Sequence, residues 1–309
     1  VNPTTLLSGT AHRIIHDSLA GQDAYRDFLG GRMARADYCT WVTEQRALLA
    51  ATGLNEDQQN LSTRFPRDEE GFVRGVLENL HGAGLVPGTD YPGDEFDAFR
   101  RDVDQAFDHG DHVTYIFPEE ARLLFALSHI LRPRHVAFLG SYYGYWALWA
   151  MPGVRRAGGR VTLVDIDERP MTTARRNMES FGFGDLVRYC VADATRPCLD
   201  GEADMLVLDA EGPKDGVPDH LRDKAIYAPI MAAHTQRLRP GGLLVAHNML
   251  LSNLTDNPYF ARRIAANEAQ YAAFHRHISE FYDVSRLIGT SEGVGIYRRA
   301  EPEEHSCAG

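Results

Sequence analysis

Two textures of hydrophobic and polar positions divide the chain. Up to about residue 115, apolar residues recur every three or four positions in five stretches: Leu6–Leu19, Tyr25–Met33, Tyr38–Ala51, Glu69–His81 and Glu95–Phe107. That spacing predicts helices, and Pro66, Pro87 and Pro92, with nearby glycines, separate them. From Phe117 the texture changes to short β-branched runs alternating with helical spacing. A helix is predicted at Pro118–Leu131, and strands at His135–Leu139, Arg160–Asp165, Val187–Val191, Met205–Asp209 and Leu243–His247. Helices are predicted at Trp146–Met151, Arg169–Phe181, Lys224–Leu238 and Tyr259–Ser279. Two closing strands, near Tyr282–Ile288 and Gly293–Arg298, follow one another with no helix between them. The fold class implied is α/β: a Rossmann-like, doubly wound, seven-stranded sheet with an antiparallel terminal hairpin, plus an N-terminal helical region. Residues 1–115 are expected to form a helical lid or dimerisation region, 116–300 the α/β domain, and 301–309 a flexible polar tail.

The stretch His135–Trp149, HVAFLGSYYGYWALW, ends a strand in a glycine turn and starts a helix. Asp165 closes the next strand. Strand, glycine turn, helix, strand and acid are the parts with which an α/β sheet holds a nucleoside. Glycines let the backbone approach the ligand, and a carboxylate at the second strand end accepts hydrogen bonds from both ribose hydroxyls.

Composition narrows the partners. The 309 residues are 44% hydrophobic and 24% charged, as in an ordinary globular protein. No apolar run reaches the roughly 18 residues of a membrane span, and no basic-then-apolar leader opens the chain, so no membrane partner and a cytoplasmic location are expected. A net charge of −11 argues against nucleic acid, which needs a basic surface. Cys39, Cys190, Cys198 and Cys307 have no paired spacing, which suggests neither a disulfide framework nor a zinc site built on CxxC.

From Phe117 to Arg299 the chain resembles the class I S-adenosylmethionine-dependent methyltransferases, closest to the cation-dependent catechol and caffeoyl-CoA O-methyltransferase-like group. The motifs FPEEARLL, FLGSYYGYWAL, VTLVDID, ADA, LVLDAE, LRPGGLLVAHN and GTSEGVGIYRR carry the resemblance, in that order. The turn is GxxxG, not the GxGxxG of a nicotinamide dehydrogenase. The resemblance implies that Gly140 and Gly144, with Ser141 and Tyr142 in the same turn, line the methionine and ribose portion of S-adenosyl-L-methionine. It puts Asp165 on the ribose hydroxyls, Asp193 near the adenine amino group, and Asp209 beside the cofactor. Phe138 stands where the group usually has an acid. Tyr142 and Tyr143 either offer a π face to the sulfonium or pack the turn.

In the same group a hard cation is held by an Asp after the fourth strand and an Asp-Asn pair after the fifth. Here those positions read Asp209 and His247-Asn248. Imidazole shifts preference from magnesium toward zinc or iron. His275, on the predicted helix four residues after Tyr271, completes a set of two histidines and one carboxylate, with Asn248 as a further ligand. Against this, the chain has 13 histidines, and His247 reads equally as a hydrogen-bonded histidine in a polar cleft. His247, His275 and Lys214 are the candidate catalytic residues, Glu211 is an alternative base to Lys214, and a solvated loop accounts for either. A divalent metal suits an acceptor with two adjacent oxygens, because chelation lowers the nucleophile's pKa. Metal-assisted C-methylation of a chelated α-keto acid, as in antibiotic biosynthesis, is the leading expectation, with Arg262, Arg263 and Arg276 to meet its carboxylate. O-methylation of a catechol or enol is the alternative, and a protein that holds the cofactor without catalysis is the third. The segment Glu211–Tyr227 is expected to cover the substrate, and a homodimer is expected from the apolar N-terminal helices.

Overall fold

The computed structural model describes residues 8–250 and 257–301. The start of the helix expected from Leu6 and the tail after Glu301 lie outside them. The central sheet has seven strands: β1 His135–Leu139, β2 Arg160–Asp165, β3 Val187–Val191, β4 Ala203–Leu208, β5 Leu238–Ala246, β6 Tyr282–Ile288 and β7 Val294–Arg299. Their order across the sheet is β3-β2-β1-β4-β5-β7-β6, parallel except for β7, which runs antiparallel to both neighbours. Strand order reverses between β1 and β4, which opens a crevice at their carboxyl ends. Val136, Ala137, Leu163, Leu206 and Leu244 are fully buried because helices cover both faces.

Twelve helices surround the sheet among the described residues: α1 Ala11–Leu19, α2 Asp23–Leu29, α3 Arg35–Glu44, α4 Arg46–Ala51, α5 Glu56–Leu61, α6 Glu69–Gly82, α7 Gly93–Ala106, α8 Pro118–Leu131, α9 Tyr145–Arg156, α10 Glu168–Ser180, α11 Tyr227–His234 and α12 Pro258–Phe281. Two helices depart from the pattern. The helix expected over Tyr38–Ala51 breaks at Gln45 into α3 and α4. The expected helix Lys224–Leu238 is instead a 3-10 turn, Asp223–Ile226, followed by the shorter α11, with Leu238 already in β5. The sequence EDQQNL hides α5, whose start is fixed by polar groups: Asn55 accepts from the Gln58 amide at 2.8 Å and Gln58 accepts from the Asn55 amide at 3.1 Å.

The N-terminal region packs in two places. Val73, Leu77, Phe96 and Val103 of α6 and α7 share a core with α8 and α9, where the Phe96 ring lies 5.2 Å from Phe125 and 5.4 Å from Trp149. Beneath it the Arg122 guanidinium donates to Glu69 at 2.6 Å and Asp97 at 2.7 Å. The helices α1–α5 form another core that takes in Phe117 and Phe260. Phe138, the departure from the acid of related chains, is simply part of the core beside α8 and α9.

Candidate active site

A cleft of about 770 Å³ opens at the carboxyl ends of β1, β2, β4 and β5. One half is lined by Gly140, Tyr142, Val164, Asp165, Ile166 and Asp193, the other by Asp57, Asp209, Lys224, His247, Asn248, Arg263, Tyr271 and Glu292.

The first half is shaped by backbone. Gly140 has φ +84°, and a Cβ there would meet backbone atoms of Asp209 and Ala210 at 2.5–2.6 Å, so only glycine fits between β1 and the end of β4. The chain then turns so that the Tyr142 amide donates to Asp165 Oδ2 at 2.7 Å, while the Asp167 amide donates to Oδ1 at 3.1 Å. Burial raises the Asp165 pKa, opposed by these amide bonds. Asp193 accepts from the Thr195 hydroxyl at 2.7 Å and its amide at 2.9 Å, and these bonds hold its pKa below the usual range. The Tyr142 hydroxyl bonds His112 at 3.1 Å, which ties the turn to the N-terminal region. Two residues expected to line the cofactor do not line the cleft. Ser141 is turned inward, its hydroxyl 3.3 Å from the Met171 sulfur. Gly144, at φ +79°, starts α9 and faces α10, where a Cβ would lie 3.1 Å from that of Ala174; its smallness serves helix packing.

The second half is shaped by side chains. Helix α8 begins with Pro118-Glu119-Glu120, a favourable order for a helix start because acids complement its N-terminal dipole. Both carboxyls are buried, and Glu120 accepts four hydrogen bonds, from the Phe117 amide (2.9 Å), the Thr290 hydroxyl (2.6 Å), the Glu292 amide (3.1 Å) and His247 Nε2 (3.0 Å). Glu119 accepts from the Ser291 amide at 2.7 Å and its hydroxyl at 2.6 Å, and burial next to Glu120 pushes it up to about 8. Arg64 holds the same β6–β7 turn from the other side, donating to Ser291 O at 2.6 Å and Thr290 O at 2.8 Å. The turn therefore delivers Glu292, 2% exposed, to the cleft. Burial raises Glu292 to about 7 against the pull of Arg263, 3.9 Å away.

His247 lies between two carboxylates, Nε2 on Glu120 at 3.0 Å and Nδ1 on Asp209 at 3.2 Å. Both nitrogens face acceptors, so both carry protons. Burial opposes that charge, yet the two carboxylates outweigh it and push the histidine up to about 10. Asp209 is in turn kept low: burial raises it, but His247 and then Lys224 prevail. Lys224 Nζ donates to the Ala210 carbonyl at 2.9 Å and lies 3.7 Å from Asp209.

These side chains do not fit a resident divalent ion. Both ring nitrogens of His247 are engaged by carboxylates, so neither is turned to the open cleft as a metal ligand. Asp209 Oδ1 is likewise engaged, by His247 at 3.2 Å and Lys224 at 3.7 Å. The His275 assignment also fails: it is exposed on α12, outside the cleft, its ring 6.1 Å from Tyr271. The helical turn points Tyr271 inward, and its hydroxyl donates to the Asn248 carbonyl at 2.8 Å. Asn248 adopts φ +57° and directs its amide at Glu292, 3.5 Å away. Among the described residues, no group of three or more His, Cys, Asp or Glu is arranged to hold a metal.

Lys214, the candidate catalytic lysine, lines the cleft from its edge. It stands at the rim with a 77% exposed side chain, 3.9 Å from Glu211. The loop after β4 closes on itself, the Gly212 amide donating to the Asp223 carbonyl at 3.0 Å, and so returns Lys224 to Asp209. Glu120, Lys224 and Glu292 were missed because each reads locally as something ordinary: a helix cap, a helix start and a hairpin turn.

Residues 137–249, a little over a third of the chain, match the family model of a methyltransferase domain. No curated protein matches the chain. Among solved structures it is similar to the SAH-bound methyltransferase PaMTH1 of Podospora anserina, at 18% identity over 67% of this chain and 87% of that one, with a TM-score of 0.47. It is similar to a putative caffeoyl-CoA O-methyltransferase from Staphylococcus aureus, at 14% identity over 74% and 99% of the two chains, TM-score 0.47. The O-methyltransferase TomG of Streptomyces achromogenes, solved with SAM, is 17% identical over 76% and 99%, TM-score 0.44. At that distance these three carry no argument about this chain's site.

Proposed function

We propose that this chain, an S-adenosylmethionine-dependent methyltransferase of small molecules, moves the methyl group onto a hydroxyl of a neutral or cationic acceptor. The observation that carries this reading is the charge of the cleft. Seven carboxyl side chains line it, against Lys214, Lys224, Arg263 and His247. An acidic wall favours a sulfonium and disfavours an anionic partner. The α-keto acid reading looks to three arginines to meet the acceptor's carboxylate, and none is free in the cleft. Arg262 and Arg276 are exposed outside the cleft, and Arg263 is already bonded to Asp57 at 2.5 Å.

In this reading Asp165 takes the ribose hydroxyls, Gly140 allows close approach of the methionine portion, and Asp193 lies toward the adenine. The acceptor occupies the half bounded by Asp209, Asn248 and Glu292, with Asp57 and Tyr115 from the N-terminal region closing over it. Transfer is an in-line displacement, so alignment is most of the catalysis. An oxygen lone pair forms the C–O bond, the C–S pair stays on sulfur, and the hydroxyl proton passes to Glu292. The test is incubation with methyl-labelled S-adenosylmethionine and parallel panels of polyols, aminoalcohols, catechols and α-keto acids. Label on oxygen, found by product mass and carbon NMR, is expected. Label on the carbon of a keto acid, with none on hydroxyls, overturns the reading.

A further inference from the structure

We propose that Lys224 supplies, from the protein itself, the positive charge that holds the acceptor's oxygen at the ends of β4 and β5, in place of a divalent ion. The inference rests on the hydroxyl-methylation reading. One oxygen of Asp209, Oδ1, meets both His247 at 3.2 Å and Lys224 at 3.7 Å. The His247 ring is spent on two carboxylates and turns no donor to the cleft. Lys224 differs. An ammonium has three N–H donors, and here the Ala210 carbonyl, at 2.9 Å, holds one at ordinary hydrogen-bond length. The Tyr227 oxygen, whose own proton goes to the His247 carbonyl at 3.1 Å, stands farther off, at 3.5 Å.

The ammonium is also well placed. Its side chain is 11% exposed, and that exposure is to the cleft. Ala210 is the residue that a Cβ on Gly140 would strike, so Lys224 Nζ stands beside the turn on which the cofactor rests. Its backbone is fixed from α12, the Lys224 amide donating to Gln270 at 3.2 Å. A buried, preorganised donor next to the methyl source is what a developing oxyanion requires.

Two measurements test this. First, the whole protein is titrated calorimetrically with magnesium, manganese and zinc chloride, an experiment that needs no acceptor. No saturable binding up to millimolar metal is expected, together with turnover that survives chelator. Micromolar binding abolished by Asp209→Asn, or turnover lost to chelator and restored by metal, overturns the proposal. Second, Lys224→Met should lower kcat/KM by at least about 100-fold with S-adenosylhomocysteine affinity unchanged, and Lys224→Arg should recover part of it. Full turnover in Lys224→Met also overturns the proposal. If no hydroxyl compound accepts methyl, the functional reading fails, whereas the metal titration still decides whether the protein's cations exclude a divalent ion.

Discussion

The two halves of the cleft are built by different means. In the cofactor half, Gly140, Tyr142 and Asp165 lie within one strand-turn-helix-strand unit, and the critical contact is an amide to a carboxylate at 2.7 Å. In the acceptor half, Glu120, Asp209, Lys224, His247 and Glu292 come from five separate segments and are held by side-chain bonds to one another. The first depends on backbone geometry, the second on charge balance. Perturbing one half should therefore leave the other measurable.

The largest effect is expected where charge balance is broken. Removing the imidazole in His247→Ala leaves the buried Glu120 carboxyl without its cation and Asp209 with Lys224 alone, a loss of about 3–5 kcal/mol by denaturant unfolding. Cofactor affinity per folded molecule should stay nearly intact; a variant as stable as the parent would mean the ring is not charged. Next comes Gly140→Ala, which forces a Cβ into the backbone of Ala210 at a left-handed position. It should cost about 2–3 kcal/mol and also weaken S-adenosylhomocysteine binding.

Asp165→Ala should weaken cofactor binding by about 1–3 kcal/mol for lost charged hydrogen bonds, with the acceptor half untouched. Alkaline pH should act on the other half alone. The folded-state pKa of His247 is raised from 6.5 to about 10, so the stability it contributes is fully present below 6.5 and is lost as pH rises through about 10. The thermal midpoint should fall across that window, and His247→Ala should abolish this component of the fall. Smallest of all, Lys214→Ala should leave turnover within about twofold of the parent, since its ion pair with Glu211 is exposed.

Legibility in sequence follows the same division. All seven strands and the turn at Gly140 could be read because their signals are local: β-branched runs, a glycine turn and an acid at a strand end. Helix α5 was hidden by a polar sequence stabilised by caps and tertiary burial. In the acceptor half, His247 reads from sequence either as a metal ligand or as a hydrogen-bonded histidine in a polar cleft. Its character depends on Glu120, 127 positions away, and no spacing rule connects them. Lys224 carries no local signal either, because only the folded-back loop shows which lysine returns to Asp209.

The most direct check on this division is calorimetric titration of S-adenosylhomocysteine into the parent protein, Asp165→Ala and Lys224→Met side by side. We expect one site per chain in the parent, about 10- to 100-fold weaker binding in Asp165→Ala, and parental affinity in Lys224→Met. Equal affinity in the parent and Asp165→Ala, or no binding to the parent at all, would contradict it.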